Sequence, residues 1–175
     1  MESGMERIKK RIRSIPDYPK KGIVFRDITP LLKDGRAFAL AIEEMKRQVA
    51  GLDYDYIVGI ESRGFILGSA LALATGSGLV LARKKGKLPF ERISKDYELE
   101  YGTATLEMHR DALEGGSMAL IVDDLLATGG TAKVAAELVE DLGAKVAGFA
   151  FLIELSDLRG RERLGKNRIV SLLKY

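Results

Sequence analysis

Met118-Ala119-Leu120-Ile121-Val122-Asp123-Asp124-Leu125-Leu126-Ala127-Thr128-Gly129-Gly130-Thr131 is the stretch from which the rest of the chain is read. Five apolar residues, Met118 to Val122, precede the first charge, as in a parallel strand buried on both faces. The acidic pair Asp123 and Asp124 stands at the strand's carboxyl end. A small-residue loop, Ala127 to Thr131, leads into a helical pattern with Val134, Leu138 and Leu142 four residues apart. Strand, loop and helix in this order can hold a phosphate. Glycines let the backbone turn and approach a ligand, the helix start offers unpaired N–H groups and a positive dipole end, and Thr128 and Thr131 add hydroxyl donors. Carboxylates repel a phosphate, so the pair is expected to face sugar hydroxyls or a bound cation in the crevice outside the strand end. The plainer alternative is a turn whose aspartates cap the next segment. Gly-x-x-x-x-Gly-Lys-Ser/Thr spacing is absent, which argues against a P-loop nucleotidase. Gly76-Ser77-Gly78 lacks the third glycine of a dinucleotide fingerprint.

The totals narrow the class. At 175 residues the chain is expected to form one domain, 1–175, large enough to bury a substantial core. A hydrophobic share of 46% with 30% charged residues is ordinary for a globular protein. With no cysteine, disulfide scaffolds, thiol catalysis and cysteine–zinc sites are excluded. A single histidine, His109, argues against a histidine metal cluster or a Ser/His/Asp triad. The net charge is +3, and a pI near 9.0 tolerates a polyanionic partner. No apolar run reaches membrane-spanning length and the first residues are polar, so a cytoplasmic protein without a membrane partner is expected.

Along the chain, Ile8, Ile12 and Ile15 predict an amphipathic helix over residues 5–15, ended by Pro16, with a solvated basic face. Residues 16–33 read as irregular but too apolar for a free loop at Ile23, Val24, Phe25 and Ile28. Asp34 to Val49 follows as a helix, then Tyr56 to Ile60 as a buried strand. That strand runs into Glu61-Ser62-Arg63-Gly64 and a helix through Ala74, a second strand–turn–helix junction. Arg63 there could meet a ligand, pair with Glu61 or cap the helix. Leu79 to Ala82 is a short strand, and Arg83-Lys84-Lys85-Gly86-Lys87 reads as an exposed, mobile basic run. The segment stays irregular to about Ser94, and residues 97–101 and 103–108 alternate as paired strands about Gly102. His109 is expected at the polar surface. Lys145 to Glu154 and Ile169 to Leu173 are further strands around the short-helical residues 157–164. Alternation of strand and helix predicts an α/β fold with a mostly parallel sheet.

Val122 to Thr131 resembles the phosphoribosyl pyrophosphate (PRPP) motif of the type I phosphoribosyltransferases, in the wording of their adenine branch. The resemblance extends over nearly the whole chain. It implies the family fold: a mostly parallel central sheet flanked by helices, a small N-terminal hood over about residues 16–33 with the C-terminal part, and a flexible lid over about 83–102. In that family the acidic pair engages the ribose hydroxyls, which places Asp123 and Asp124. The loop binds the 5′-phosphate, which places Ala127, Thr128, Gly129, Gly130 and Thr131. "Glu-Ser-Arg-Gly-Phe" is similar to the pyrophosphate loop and assigns Ser62, Arg63 and Gly64. The lid resemblance adds Arg83, Lys84 and Lys87 as pyrophosphate ligands, some of them acting across subunits, and Glu100 and Tyr101 as catalytic candidates beside Arg63. "Gly-Ile-Val-Phe-Arg-Asp" is similar to the base-binding hood, with Phe25 stacking on adenine, Val24 and Arg26 lining it, and Leu155 capping its other face.

The activity so implied is Mg²⁺-dependent transfer of the 5-phosphoribosyl group from PRPP to N9 of adenine, giving AMP and pyrophosphate in purine salvage. Mg²⁺ is expected on substrate oxygens and waters, with no protein ligand named. A homodimer is implied. Two alternatives stay open: a transferase for another purine base, and a PRPP-sensing regulator that binds nucleic acid. The second would want an added DNA-binding domain or a basic groove, so no nucleic-acid partner is expected.

Overall fold

The computed structural model describes residues 3–98 and 102–175. They divide into two compact units, the first ending at Glu44 and the second running from Met45.

In the first unit α1 (Gly4–Lys9) starts from a capping box: the Ser3 hydroxyl accepts from the Glu6 N–H, and the Glu6 carboxylate accepts from the Ser3 N–H. The helix expected over 5–15 ends at Lys9. β1 (Arg13–Pro16) pairs antiparallel with β2 (Val24–Asp27), setting Ile15 opposite Phe25. Cross-strand pairing and an Arg13–Asp27 ion pair of 3.1 Å override the helical spacing of the three isoleucines, which as β-branched residues suit a strand equally well. The segment expected to be irregular therefore contains half of a hairpin. The Asp27 carboxylate then accepts from the Thr29 N–H and hydroxyl at the start of α2 (Thr29–Lys33). α3 (Gly35–Val49) follows one residue later. Asp34 accepts from the Ala37 N–H and the Arg11 Nε, and these two contacts hold its carboxyl below the usual range.

The second unit is built on a seven-stranded sheet. Its strands are β3 (Tyr56–Ile60), β4 (Gly78–Lys84), β5 (Arg92–Glu98), β6 (Thr103–His109), β7 (Met118–Leu126), β8 (Lys145–Glu154) and β9 (Ile169–Lys174), in the order β5-β6-β4-β3-β7-β8-β9. From β4 through β9 all pairings are parallel; β6 joins β4 antiparallel and carries β5 as a hairpin partner. Helices α4 (Arg63–Thr75) and α5 (Gly130–Asp141) pack on this sheet. The apolar runs of β3, β7 and β8 are buried, and the stacked rings of Phe149 and Phe151, 6.3 Å apart, lie in the core. Each such ring contributes roughly 1.5–3 kcal/mol by burial.

Three strands exceed their expected bounds. β7 continues past Val122 to Leu126, because Asp123, Leu125 and Leu126 all find register partners on β8. The acidic pair thus sits inside a strand instead of beyond its end. β4 runs on through Arg83 and Lys84 opposite Glu107 and Leu106. β5 begins at Arg92, where irregular chain to Ser94 was expected, and pairs residue by residue from Arg92–His109 to Glu98–Thr103. His109 is not a surface residue: it is half-buried, its ring meets the edge of Phe90 at 6.1 Å, and its buried Nε2 has no hydrogen-bond partner among the described residues.

Candidate active site

The order β4-β3-β7 makes the site. The chain leaves β3 for β4 on one side and returns to β7 on the other, so the carboxyl ends of β3 and β7 flank the crevice where an open α/β sheet takes its ligand. The two junctions singled out in the sequence are therefore neighbours.

On the β7 side, Gly129 turns the chain in the left-handed region (φ 80°), and α5 starts at Gly130. A Cβ at 129 would strike the carbonyl oxygen of Gly160 at 2.5 Å. Asp123 and the run Leu125 to Ala132 line a cavity of about 80 Å³. That is room for a small polar group, with Thr128, Gly129, Gly130, Thr131 and Asp123 among its lining residues. No cation lies in that run.

On the β3 side, the Glu61–Ser62 peptide is cis and Ser62 precedes α4. Gly64 packs so closely on β7 that a Cβ there would meet the Val122 carbonyl oxygen at 2.8 Å and Asp123 Oδ1 at 2.9 Å. Only glycine lets the two junctions touch. Arg63 Nε lies 2.6 Å from Oδ2 of the buried Asp124. The two carboxylates differ accordingly. Burial pushes the Asp123 carboxyl well above the usual range and the charge of Asp124 adds to this, while the Asp124 N–H donated to Asp123 Oδ1 at 2.8 Å works against it.

The start of the basic run makes side-chain and backbone contacts with Glu61. Glu61 accepts from Arg83 Nε at 3.2 Å and from the Lys84 N–H at 2.9 Å, and Arg83 lies over the Phe65 ring at 5.7 Å. Burial opposes ionisation of Glu61, but the Lys84 N–H and the Arg83 guanidinium together hold its carboxyl below the usual range. The buried Glu107 accepts from the Gly86 N–H and pairs with Arg92, and Leu88 is buried. The Lys84 and Lys87 side chains remain exposed. Glu100 and Tyr101 lie outside the described residues. In the first unit, Phe25 is half-buried with its ring edge-on to Tyr18 at 5.4 Å. Val24 is exposed, and Arg26 donates to Ser14 at 2.5 Å. Leu155, half-buried, follows β8 in the second unit.

Sequence reasoning read residues 157–164 as short-helical but gave them no place at the site. A short 3₁₀ turn, Gly160–Leu164, is seated on the cradle: a Cβ at Gly160 would overlap the Ala127 carbonyl oxygen and lie 3.1 Å from the Gly129 nitrogen. Arg161 holds the turn by donating at 2.6 and 2.7 Å to the two oxygens of the buried Glu154, and also to Ser171. The only sequence signal was the run Gly160-Arg161-Glu162-Arg163, which carries no periodicity.

Comparison with known proteins agrees with this architecture. The phosphoribosyl transferase domain model matches residues 30–172. The chain is 59% identical to the adenine phosphoribosyltransferase of Halothermothrix orenii over 95% of its own length and 98% of that protein's. Among solved structures, it superposes on the adenine phosphoribosyltransferase of Thermoanaerobacter pseudethanolicus with a TM-score of 0.95 at 52% identity, covering 98% and 99% of the two chains. The Saccharomyces cerevisiae enzyme, solved with adenine and an imino-altritol bisphosphate, gives a TM-score of 0.92 at 40% identity, with 99% and 100% covered. The chain belongs to the phosphoribosyltransferase family, in its adenine phosphoribosyltransferase branch.

Proposed function

We infer that the chain transfers the 5-phosphoribosyl group of PRPP to N9 of adenine, releasing AMP and pyrophosphate. The observation that carries this reading is the meeting of the Asp123–Thr131 cradle with the Ser62–Gly64 turn across Gly64. The yeast relative's ligands, adenine and a sugar-like bisphosphate, are what such a crevice would take.

In this reading the loop Ala127 to Thr131 holds the 5′-phosphate through backbone N–H groups, the threonine hydroxyls and the α5 dipole. Ser62, Arg63, Gly64, Arg83, Lys84 and Lys87 take the pyrophosphate, and neutralising its charge lets it leave without an acid catalyst. As the C1–O bond breaks, positive charge builds on the ribose, and the Asp123–Asp124 carboxylates favour that state. Arg63 serves both ends: it exchanges Asp124 for a pyrophosphate oxygen when PRPP arrives, which frees Asp124 for the sugar. Glu100 and Tyr101 are assigned to proton handling and closure over the reacting atoms, which excludes water. Phe25, with Val24 and Arg26, is assigned to the adenine ring, and so is Leu155.

The donor set fits Mg²⁺ as a substrate-borne ion. Asp123, whose ionisation Asp124 opposes, offers a place where a nearby cation is welcome. No group of three carboxylate or imidazole residues among the described residues makes a resident site. Bound with PRPP, Mg²⁺ would supply further neutralisation of the leaving group.

A homodimer belongs to the same proposal. Ile66 and Leu73 on α4 and Leu79 and Leu81 on β4 are large apolar side chains left exposed, Leu73 by 88%. A cytoplasmic location is proposed on the cysteine-free composition. No described helix is long and apolar enough to cross a membrane. Supplying the purified chain with PRPP, Mg²⁺ and adenine and assaying AMP tests the whole reading.

A further inference from the structure

We propose that Arg163 is a phosphate-binding residue of the cradle, reaching the 5′-phosphate of PRPP from the Gly160–Leu164 turn. This rests on the assignment of the cradle to that phosphate. Its Nη1 lies 3.5 Å from the point where a Cβ at Gly130 would sit, and Thr128 Oγ1 lies 4.0 Å from the same point. A cation and a hydroxyl donor of the loop therefore flank the first residue of α5. The arginines of the turn and its preceding residue are used differently. Arg159 pairs with Glu162 at 2.6 Å and Arg161 is held by Glu154, whereas among the described residues no ion pair or hydrogen bond engages Arg163, and its side chain is exposed. An exposed arginine beside a loop with no cation of its own is the missing charge in the cradle. A phosphate monoester carries nearly two negative charges, and here it must sit within reach of Asp123 and Asp124. Backbone N–H groups and a helix dipole offset part of that repulsion; a guanidinium adds a full charge with paired donors that match phosphate oxygens.

The seat of the turn makes the placement rigid. Gly160 abuts Ala127 and Gly129 so tightly that the turn cannot shift without the cradle, and the Arg161–Glu154 pair ties it to β8. The backbone that carries Arg163 is thus held against the cradle.

Steady-state kinetics on Arg163→Gln and Arg163→Lys, with calorimetric binding of ribose 5-phosphate and of pyrophosphate, tests this. Arg163→Gln is expected to raise the PRPP KM about tenfold or more, the scale of one charged hydrogen bond, with the adenine KM and the Tm unchanged. It should weaken ribose 5-phosphate by a similar factor and leave pyrophosphate binding as it was. Arg163→Lys, keeping the charge, should recover most of the loss. An unchanged PRPP KM and ribose 5-phosphate affinity in Arg163→Gln overturns the proposal. So does an equal loss for ribose 5-phosphate, pyrophosphate and adenine together with a lower Tm, since that is what misfolding of the turn would produce. Failure of the wild-type chain to form AMP would strike the parent reading instead, and the two results cannot be confused.

Discussion

Asp123 carries a cost in the folded chain that its proposed place beside the ribose would account for. Its folded pKa lies above the unfolded value near about 4, so the folded chain holds the proton more tightly, and stability falls as pH rises through that window. At neutral pH Asp123→Asn should therefore be more stable than wild type, by about 2–4 °C in Tm for a chain of this size, while AMP formation is lost. The gain should vanish below about pH 3, where Asp123 is protonated in both states; a lower Tm at pH 7 would contradict the account. Arg63→Ala is expected to cost about 1.5–3 kcal/mol in PRPP use. It should also lower the Tm, because it strands the buried Asp124; unchanged PRPP kinetics would remove Arg63 from the site. Phe25→Ala should raise the adenine KM more than the PRPP KM, and equal rises would mean packing. Residue identities at the cradle were legible because glycines, threonines and paired aspartates have few other reasons to cluster after a strand. Partnerships were not: Arg63 with Asp124, and Arg83 with Glu61, join residues remote in sequence, and only the sheet order brings them together.

Elements built on apolar runs were legible: β3, β8 and the middle of β7 were set by burial on both faces, and α3 and α5 by their stripes. Elements built on pairing were not. β1 and β2 exist because each satisfies the other's backbone, and the extension of β7 over two aspartates depends on β8 continuing beside it. The 3₁₀ turn at Gly160 lies in a stretch read as short-helical, but its seat on the cradle depends on contact that the sequence does not show. Gly160→Ala is the test at this scale. Its Cβ would overlap the Ala127 carbonyl oxygen, so either turn or cradle must move, at a cost of about 1–3 kcal/mol. Differential scanning calorimetry should show a lower Tm, and the PRPP KM should rise while the adenine KM holds. A variant with wild-type Tm and kinetics would mean that the two segments are not coupled.

For the molecule as a whole, the switch between β3 and β7 turns a list of motifs into a site; the alternation of strands and helices foretold the parallel sheet but not its strand order. The exposed apolar face of α4 and β4 was hidden in the sequence, because Leu73 reads as core until the helix's buried side is known. Light scattering should find a dimer, and Leu73→Glu should shift it to monomer; a wild-type monomer would leave that face unexplained. The central claim is the reaction itself. The purified chain should be given PRPP and Mg²⁺ with adenine, hypoxanthine, guanine or xanthine in turn, and nucleotide and pyrophosphate measured together. AMP and pyrophosphate in equal amounts from adenine, with no nucleotide from the other bases, is the predicted result. A different nucleotide, or none while PRPP still binds, would contradict it.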